Sequence, residues 1–329
     1  MAERMAECMD EGMGGRMDGR TTLALFSRRH DLSYMKPMLE AADPALDVVV
    51  WPDPRCRDAE VAVGWEAPPG IYAQLPRLRL LHSIAAGVDN LIDGQDLHGA
   101  RLCRVVDPML TEGILQYVLW AVLYFHRGFD FALANQRNAH WQRPAQQTPA
   151  AGCRVGLMGL GEMGGRVAAV LPALGYHVNG WSRSGRRMDG VASYRGEQEF
   201  DAFLSVTDVL VCLLPLTAAT RGILGRRTFD ALPRGAALVH CGRGDHLVEQ
   251  DLLDALASGR LRGAVLDVFP EEPLPPASPL WNAPGVVVTP HMASVADMQT
   301  VVIAQIAANV GRLRRGEPLS NVVDVARGY

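Results

Sequence analysis

Lysine is almost missing from this chain: Lys36 is the only one in 329 residues, and every other basic side chain apart from the histidines is arginine. A Walker-type phosphate loop needs a lysine after its second glycine, so that class is excluded, and Schiff-base chemistry has a single candidate. Runs of like charge are missing too, and the formal net charge is only -4. A nucleic-acid footprint or a polybasic membrane patch requires such runs. No apolar stretch approaches an uninterrupted membrane span. Cys8, Cys56, Cys103, Cys153, Cys212 and Cys241 are scattered without a short pair, which excludes a disulfide framework or zinc knuckle and points to a reducing cytoplasm. These absences leave a cytoplasmic protein that acts on a small neutral or anionic ligand.

The first twenty residues also lack the apolar core of a signal peptide. Met1, Met5, Met9, Met13 and Met17 recur every four residues, but Gly12, Gly14, Gly15 and Gly19 oppose a helix, so a disordered leader is expected.

From Thr21 the short β-rich runs TLALF, DVVVW, VAVGW and LRLLHSI alternate with polar or helical segments, as in a small α/β domain. Asp107-Pro108 marks a boundary. The apolar stretch from Gly113 to Gly128 then predicts a helix buried on nearly all sides, between domains or subunits. Six further runs follow, RVGLMG, HVNGW, VLVCLLP, ALVHC, AVLDVF and VVVTP; continuous apolar strands of this kind belong to a parallel sheet covered on both faces. Between two of them Val248, Leu252, Leu253 and Leu256 share a helical face that stops at Gly259. The segment from Ser294 through Gly311 is again helical in period and returns the chain to the first domain. The expected division is a leader at 1–20, a discontinuous domain at 21–107 plus 294–329, and a second domain at 108–293. Ligands of doubly wound sheets bind beyond the carboxyl ends of the strands, so a cleft between the domains is the expected active site.

Gly159, Gly161 and Gly164 form GxGxxG after a strand and at the start of a helix. The first permits a tight turn, the second lets N–H groups approach a pyrophosphate, and the third lets helix and strand pack closely. The stretch Gly159, Leu160, Gly161, Glu162, Met163, Gly164 is therefore the candidate dinucleotide loop. An aspartate that would grip the 2′-hydroxyl of NAD is expected about twenty residues on; Ser182 stands there instead, followed by Arg183, with Arg186 and Arg187 nearby. A guanidinium pairs with a 2′-phosphate, so NADP(H) is preferred and NAD(H) is the alternative.

Three more residues sit where strands give way to loops: Arg243 in HCGRGDHLVE, Glu272 in LDVFPEEPLP and His291 in VVVTPHMAS. Arg243 can bind a carboxylate and polarise a carbonyl oxygen. A carboxylate paired with His291 stabilises imidazolium, raising its pKa above about 6.5 and fitting it to donate a proton near neutral pH. Glu271 is a rival to Glu272 that spacing does not separate. His240 and Cys241 resemble a base with a thiol nucleophile, but neighbours on a strand point to opposite faces.

These motifs resemble the D-isomer-specific 2-hydroxyacid dehydrogenase family from about Ala24 to the last residue, through SIAAGVDNL, GLMGLGEMGG, HCGRGDHLVEQDLL and LDVFPEEPLPPASPLWNAPGVVVTPHMAS. The LPLT segment, the serine-arginine pair and the ending VDVARGY are most similar to its glyoxylate- and hydroxypyruvate-reducing members. The resemblance implies a Rossmann cofactor domain, a doubly wound parallel sheet, beside a smaller flavodoxin-like α/β substrate domain. It implies NADPH-dependent reduction of glyoxylate to glycolate and of hydroxypyruvate to D-glycerate. The alternatives are a relative acting on phosphoglycerate or longer 2-keto acids and a dinucleotide-sensing binding protein.

By the same resemblance Arg243 orients the substrate, His291 donates the proton, and Glu272, which directly precedes Pro-Leu, is its partner. Asp267 contacts the nicotinamide amide, and Leu214, Pro215 and Thr220 line the cofactor. Ala86 and Gly87 offer N–H groups to the substrate carboxylate, and Trp65 lines the small-substrate pocket. Ala85 and His240 depart from the usual glycine and asparagine. The helix near Tyr117 and the segment around Trp141 imply a homodimer.

Overall fold

The apolar runs become strands because both of their faces are covered. The computed structural model describes residues 20–92, 94–144, 148–294 and 297–325, so the leader, apart from Arg20, lies outside the described residues. The chain divides into two compact units, one running to Asp107 and resuming at Ala296, the other Pro108–Val295.

In the smaller unit Thr21–Ser27 (β1), Leu46–Val50 (β2), Val61–Trp65 (β3), Leu80–Ser83 (β4) and Arg101–Cys103 (β5) form a parallel sheet in the order β2-β1-β3-β4-β5. This is the flavodoxin-like order, and its direction reverses between β1 and β3. The helix Met35–Ala42 (α1) buries Met35 and Leu39, and the short helix Asp89–Ile92 (α2) follows β4. β5 escapes sequence reading because three residues, one of them an exposed arginine, carry no period.

The larger unit opens with Pro108–His126 (α3), whose first residue is the proline that suits a helix start. Within the chain one side of it is buried through Ile114, Leu115, Val118, Val122 and Phe125, whereas Met109 and Trp120 are exposed. Phe129–Arg137 (α4) follows. The sheet then runs through Arg154–Met158 (β6), His177–Ser182 (β7), Val191–Arg195 (β8), Val209–Cys212 (β9), Ala236–His240 (β10), Leu261–Leu266 (β11) and Val286–Val288 (β12), all parallel, in the order β12-β11-β10-β9-β6-β7-β8. Its crossovers carry Glu162–Val170 (α5), Phe200–Ser205 (α6), Arg226–Ala231 (α7) and Glu249–Ala257 (α8).

Alternate residues of this sheet serve two cores. Val155, Leu157, Val211, Val239 and Val265 pack with α3 and α5, while Leu210, Leu238, Ala264 and Leu266 pack with Phe203 and Leu252 on the other face. Each fully buried leucine or valine contributes about 1.5–3 kcal/mol, which is why these strands need no polar face. β8 lacks that signal: VASYR lies at the edge with no fully buried residue, and so the sequence shows six runs where seven strands stand. Val248 also differs from expectation. It precedes α8 as its N-cap and is exposed, leaving Leu252 and Ala255 as the buried face. Past β12, a π-helical turn at Met298–Val302 leads into Ile303–Arg315 (α9) of the smaller unit, which packs with α1 and ends at the left-handed Gly316.

Candidate active site

In the larger unit the candidate cofactor and catalytic residues lie at or just past the carboxyl ends of strands, in the loops that follow them or in the first turn of α5. Read along the sheet order, the positions are His291 after β12, Asp267 and Glu272 after β11, Arg243 after β10, Leu214 and Pro215 after β9, the glycine loop after β6, and Ser182 at the end of β7. The strand order changes direction at β6, next to β9, and such a switch point opens the crevice that binds ligands.

The glycine loop has the shape its sequence implies. Gly159 has φ 100°, and a Cβ there would sit 2.9 Å from the Leu213 carbonyl oxygen. A Cβ on Gly164 would lie 1.9 Å from the Gly159 oxygen, so only glycine lets the first turn of α5 close onto the loop, whereas one on Gly161 would meet nothing within 4 Å. The open side faces the start of a nine-residue helix, whose first N–H groups have no intrahelical partner and whose dipole favours an anion. A dinucleotide pyrophosphate fits this cradle.

Ser182 organises the next turn. Its hydroxyl accepts the Arg186 N–H at 3.1 Å, and its carbonyl accepts the N–H groups of Gly185 and Gly196. Arg183 is exposed. Arg186 reaches back to the glycine loop and donates to the Leu160 carbonyl at 2.7 Å. Past β9, the Thr220 hydroxyl donates to the Pro215 carbonyl at 2.7 Å and accepts the Thr217 N–H at 2.9 Å, which closes the LPLT turn.

His291 and Glu272 meet. Nδ1 of His291 lies 2.8 Å from Oε2 of Glu272, whose Oε1 accepts the Phe269 N–H at 2.9 Å. With the proton of Nδ1 given to the carboxylate, Nε2 is the nitrogen left for a reacting group. Burial pushes the Glu272 carboxyl up, but the hydrogen bond and charge of His291, the Phe269 N–H and the charge of Arg243 outweigh it and hold the group below the usual range. Glu271 is exposed, and Glu272 is the carboxylate of the pair.

The loop bearing His291 is held by a network that sequence reading does not reveal. His291 has φ 51°, a conformation unfavourable for a side-chain-bearing residue. Its N–H donates to the Asp267 carbonyl at 2.9 Å, while the Asp267 carboxylate accepts from the N–H groups of Met292 at 2.8 Å and Ala293 at 2.9 Å and from the Thr289 hydroxyl at 2.6 Å. The Thr289 hydroxyl oxygen in turn lies 2.5 Å from the Tyr117 hydroxyl of α3. The single Thr289 hydroxyl proton is given to Asp267, which leaves Tyr117 as the donor to the Thr289 oxygen. Thr289 stands two residues before His291 in a quoted motif, the one available signal. Tyr117 had none for this role.

Arg243 is half-buried between Gly242 and Gly244 and donates to the Gly242 carbonyl at 2.8 Å. A Cβ on Gly244 would lie 1.9 Å from the Phe269 carbonyl carbon, so the arginine loop rests on the chain that leads into Glu272. Chemically, this sheet edge offers a fixed cation, an imidazole–carboxylate pair and a phosphate cradle. In the smaller unit, Ala86 and Gly87 lie in the loop after β4, where the Ser83 hydroxyl donates to the Gly87 carbonyl and accepts the Ala85 N–H. Trp65 ends β3 and is half-buried. Among the described residues no helix is long and apolar enough to cross a membrane.

Comparison with known proteins agrees with this geometry. The family model described as D-isomer specific 2-hydroxyacid dehydrogenase, NAD binding domain, matches residues 119–293. A protein of Serratia proteamaculans (strain 568) named glyoxylate/hydroxypyruvate reductase A is 38% identical over 292 residues, covering 87% of this chain and 93% of that one. The crystal structure of a D-isomer specific 2-hydroxyacid dehydrogenase family protein from Klebsiella pneumoniae 342 is similar with a TM-score of 0.85 and 44% identity, over 93% of this chain and 98% of that one. That of the NADPH-dependent glyoxylate/hydroxypyruvate reductase from Sinorhizobium meliloti, in complex with NADP and sulfate, is similar with a TM-score of 0.82 and 35% identity, over 94% and 100%. With a cradle, a cation and an acid pair in strand order on one sheet edge, and with matches of this extent, the chain belongs to the D-isomer specific 2-hydroxyacid dehydrogenase family.

Proposed function

We propose that the protein reduces small 2-keto acids with NADPH, glyoxylate to glycolate and hydroxypyruvate to D-glycerate. The observation that carries this reading is the His291–Glu272 pair at 2.8 Å, on the sheet edge that also bears Arg243 and the glycine loop. The dihydronicotinamide supplies the hydride for C2 of the substrate. The Arg243 guanidinium holds the substrate oxygens and offsets the charge that develops on the former carbonyl. His291, protonated, donates from Nε2 to that oxygen, and Glu272 keeps the ring oriented and stabilises its charged form. The overall change consumes one hydride and one proton per carbonyl reduced. The test is NADPH absorbance against a panel containing glyoxylate, hydroxypyruvate, a phosphorylated hydroxypyruvate and longer 2-keto acids. Oxidation with none of them refutes the reading.

The larger unit is proposed as the cofactor domain and the smaller as the substrate domain, whose Ala86 and Gly87 N–H groups, without acceptors among the described residues, suit a carboxylate. Trp65 is proposed to line the pocket. Leu214, Pro215 and Thr220 are proposed beside the cofactor. A carboxylate has about four acceptor sites, and three of those on Asp267 are filled by Thr289, Met292 and Ala293; the remaining one on Oδ2 suits the nicotinamide amide.

The choice of NADPH over NADH rests on Ser182 and Arg183, and the name of the Sinorhizobium relative supports it. Replacing Arg183 with alanine is expected to raise KM for NADPH about 10-fold and to leave that for NADH nearly unchanged. Arg186→Ala, which frees the loop carbonyls, is expected to weaken both cofactors alike. Equal effects of Arg183→Ala on the two would refute the 2′-phosphate role. Gly164→Ala, with no room for its Cβ, is expected to weaken NADPH binding and to cost about 1–3 kcal/mol of stability; fluorescence titration and thermal unfolding measure both.

A homodimer is proposed because Met109, Trp120, Phe129, Leu133 and Trp141 are exposed on α3, α4 and the segment after them, an apolar concentration that marks interaction surfaces. A concentration-independent monomer mass in sedimentation contradicts it. A cytoplasmic location is proposed from the five described cysteines, all free.

A further inference from the structure

His240 and His246 are fully buried and belong to no step of the proposed reaction, yet both bind the main chain of Arg243. The Arg243 carbonyl accepts from Nε2 of His240 at 2.9 Å and from the His246 N–H at 3.0 Å. The Arg243 N–H donates to Nδ1 of His246 at 3.0 Å. Nε2 of His246 lies 3.2 Å from the Pro215 carbonyl, in the loop after β9. These partners assign the tautomers: each ring carries its proton on Nε2, and the rings meet edge to face with centroids 5.7 Å apart. A Cβ on Gly242 would come within 2.8 Å of Nδ1 of His246, so the loop approaches the ring as closely as a backbone without a side chain allows.

The same two rings and Cys212 bring their ligand atoms within 4.8 Å of one another. Both nitrogens of His246 are engaged with the main chain, so the cluster lacks the third free donor that a metal would require. Its geometry serves Arg243 instead.

We infer that His240 and His246 are positioning residues that clamp both polar groups of the Arg243 peptide and thereby set where the guanidinium stands. The inference rests on the proposed role of Arg243. A main chain held on both sides fixes the point from which the guanidinium extends to the Gly242 carbonyl, and displacement of a substrate-binding group by about 1 Å costs about 100-fold in rate. His246 further ties this loop to the Pro215 carbonyl, so the substrate-binding cation and the cofactor-side loop share one support.

Replacing either histidine with leucine is expected to lower kcat/KM for glyoxylate about 10- to 100-fold. His240→Gln, which keeps a donor at the Nε2 position, and His246→Asn, which keeps an acceptor at the Nδ1 position, are expected to recover most of it. Because the clamp acts through Arg243, the leucine effect should vanish in an Arg243→Gln background. Unchanged kcat/KM in both leucine variants, or a loss of equal size in the Arg243→Gln background, overturns the inference alone. Full activity of Arg243→Gln by itself overturns the reading on which it rests, and the inference with it. Where leucine prevents folding, nitrogen-15 spectra of the wild-type imidazoles at pH 8 decide: both rings in the Nε2–H form support the clamp, and either ring in the Nδ1–H form overturns it.

Discussion

His291→Ala is expected to lower kcat/KM for glyoxylate about 100- to 10,000-fold, the range a positioned general acid supplies, while leaving NADPH affinity nearly unchanged. Glu272→Gln should fall less far, since the imidazole remains but loses the negative charge 2.8 Å from its Nδ1 that stabilises its protonated form. The direction of the Glu272 shift sets its acid limit. A carboxyl held below its usual range stays ionised as pH falls through about 4.3, the ordinary glutamate value, so the pair survives into mildly acid solution. Stopped-flow NADPH oxidation separates the chemical step from product release. A His291→Ala enzyme with wild-type single-turnover rate would remove the residue from the mechanism.

Acid unfolding is the second large effect. Burial on β4 lowers the pKa of His82 to about 4, with its hydrogen bond to the Ser83 carbonyl opposing the shift. Burial, followed by the neighbouring His246, lowers that of His240 to about 3. Above pH 6.5 the rings are neutral in folded and unfolded chains alike, and neither makes stability depend on pH. Between 6.5 and about 4 the unfolded chain takes up a proton at each position and the folded chain does not, so stability declines as pH falls, by about 1.4 kcal/mol per pH unit per ring. The sum reaches several kcal/mol, a large part of the total for an ordinary domain. Denaturant midpoints at pH 7.5 and 4.5 measure it. His82→Asn and His240→Gln should each flatten the decline, and slopes identical to wild type would contradict the assignment.

The contrast between these two sets of histidines shows what a sequence can carry. His291 is legible because its residue type, its strand-end position and a glycine loop upstream all bear on one chemistry. His240 and His246 act on main-chain atoms, which every residue possesses, so no residue type marks their partner. Tyr117 and Thr289 are 172 residues apart, and only the fold makes them neighbours. Among strands, RVGLM, VLVC and AALVH are legible because both faces are buried, whereas VASYR at the sheet edge mixes exposed and half-buried positions and leaves no period. Residue type and strand position do not separate Glu271 from Glu272; the turn after Phe269 does, with the Glu272 carboxylate accepting the Phe269 N–H.

β12 is three residues long, half-exposed throughout, and paired on one side only, to β11. β10, which leads to Arg243, is buried throughout and paired on both sides. Local opening follows such differences, so backbone amides of Val286–Val288 should exchange with deuterium long before those of Ala236–His240. The loop beyond β12 would open with it were Asp267 not gripping Thr289, Met292 and Ala293. One buried carboxylate thus does for His291 what a longer strand would do, and the acid keeps its place even where the edge strand before it opens.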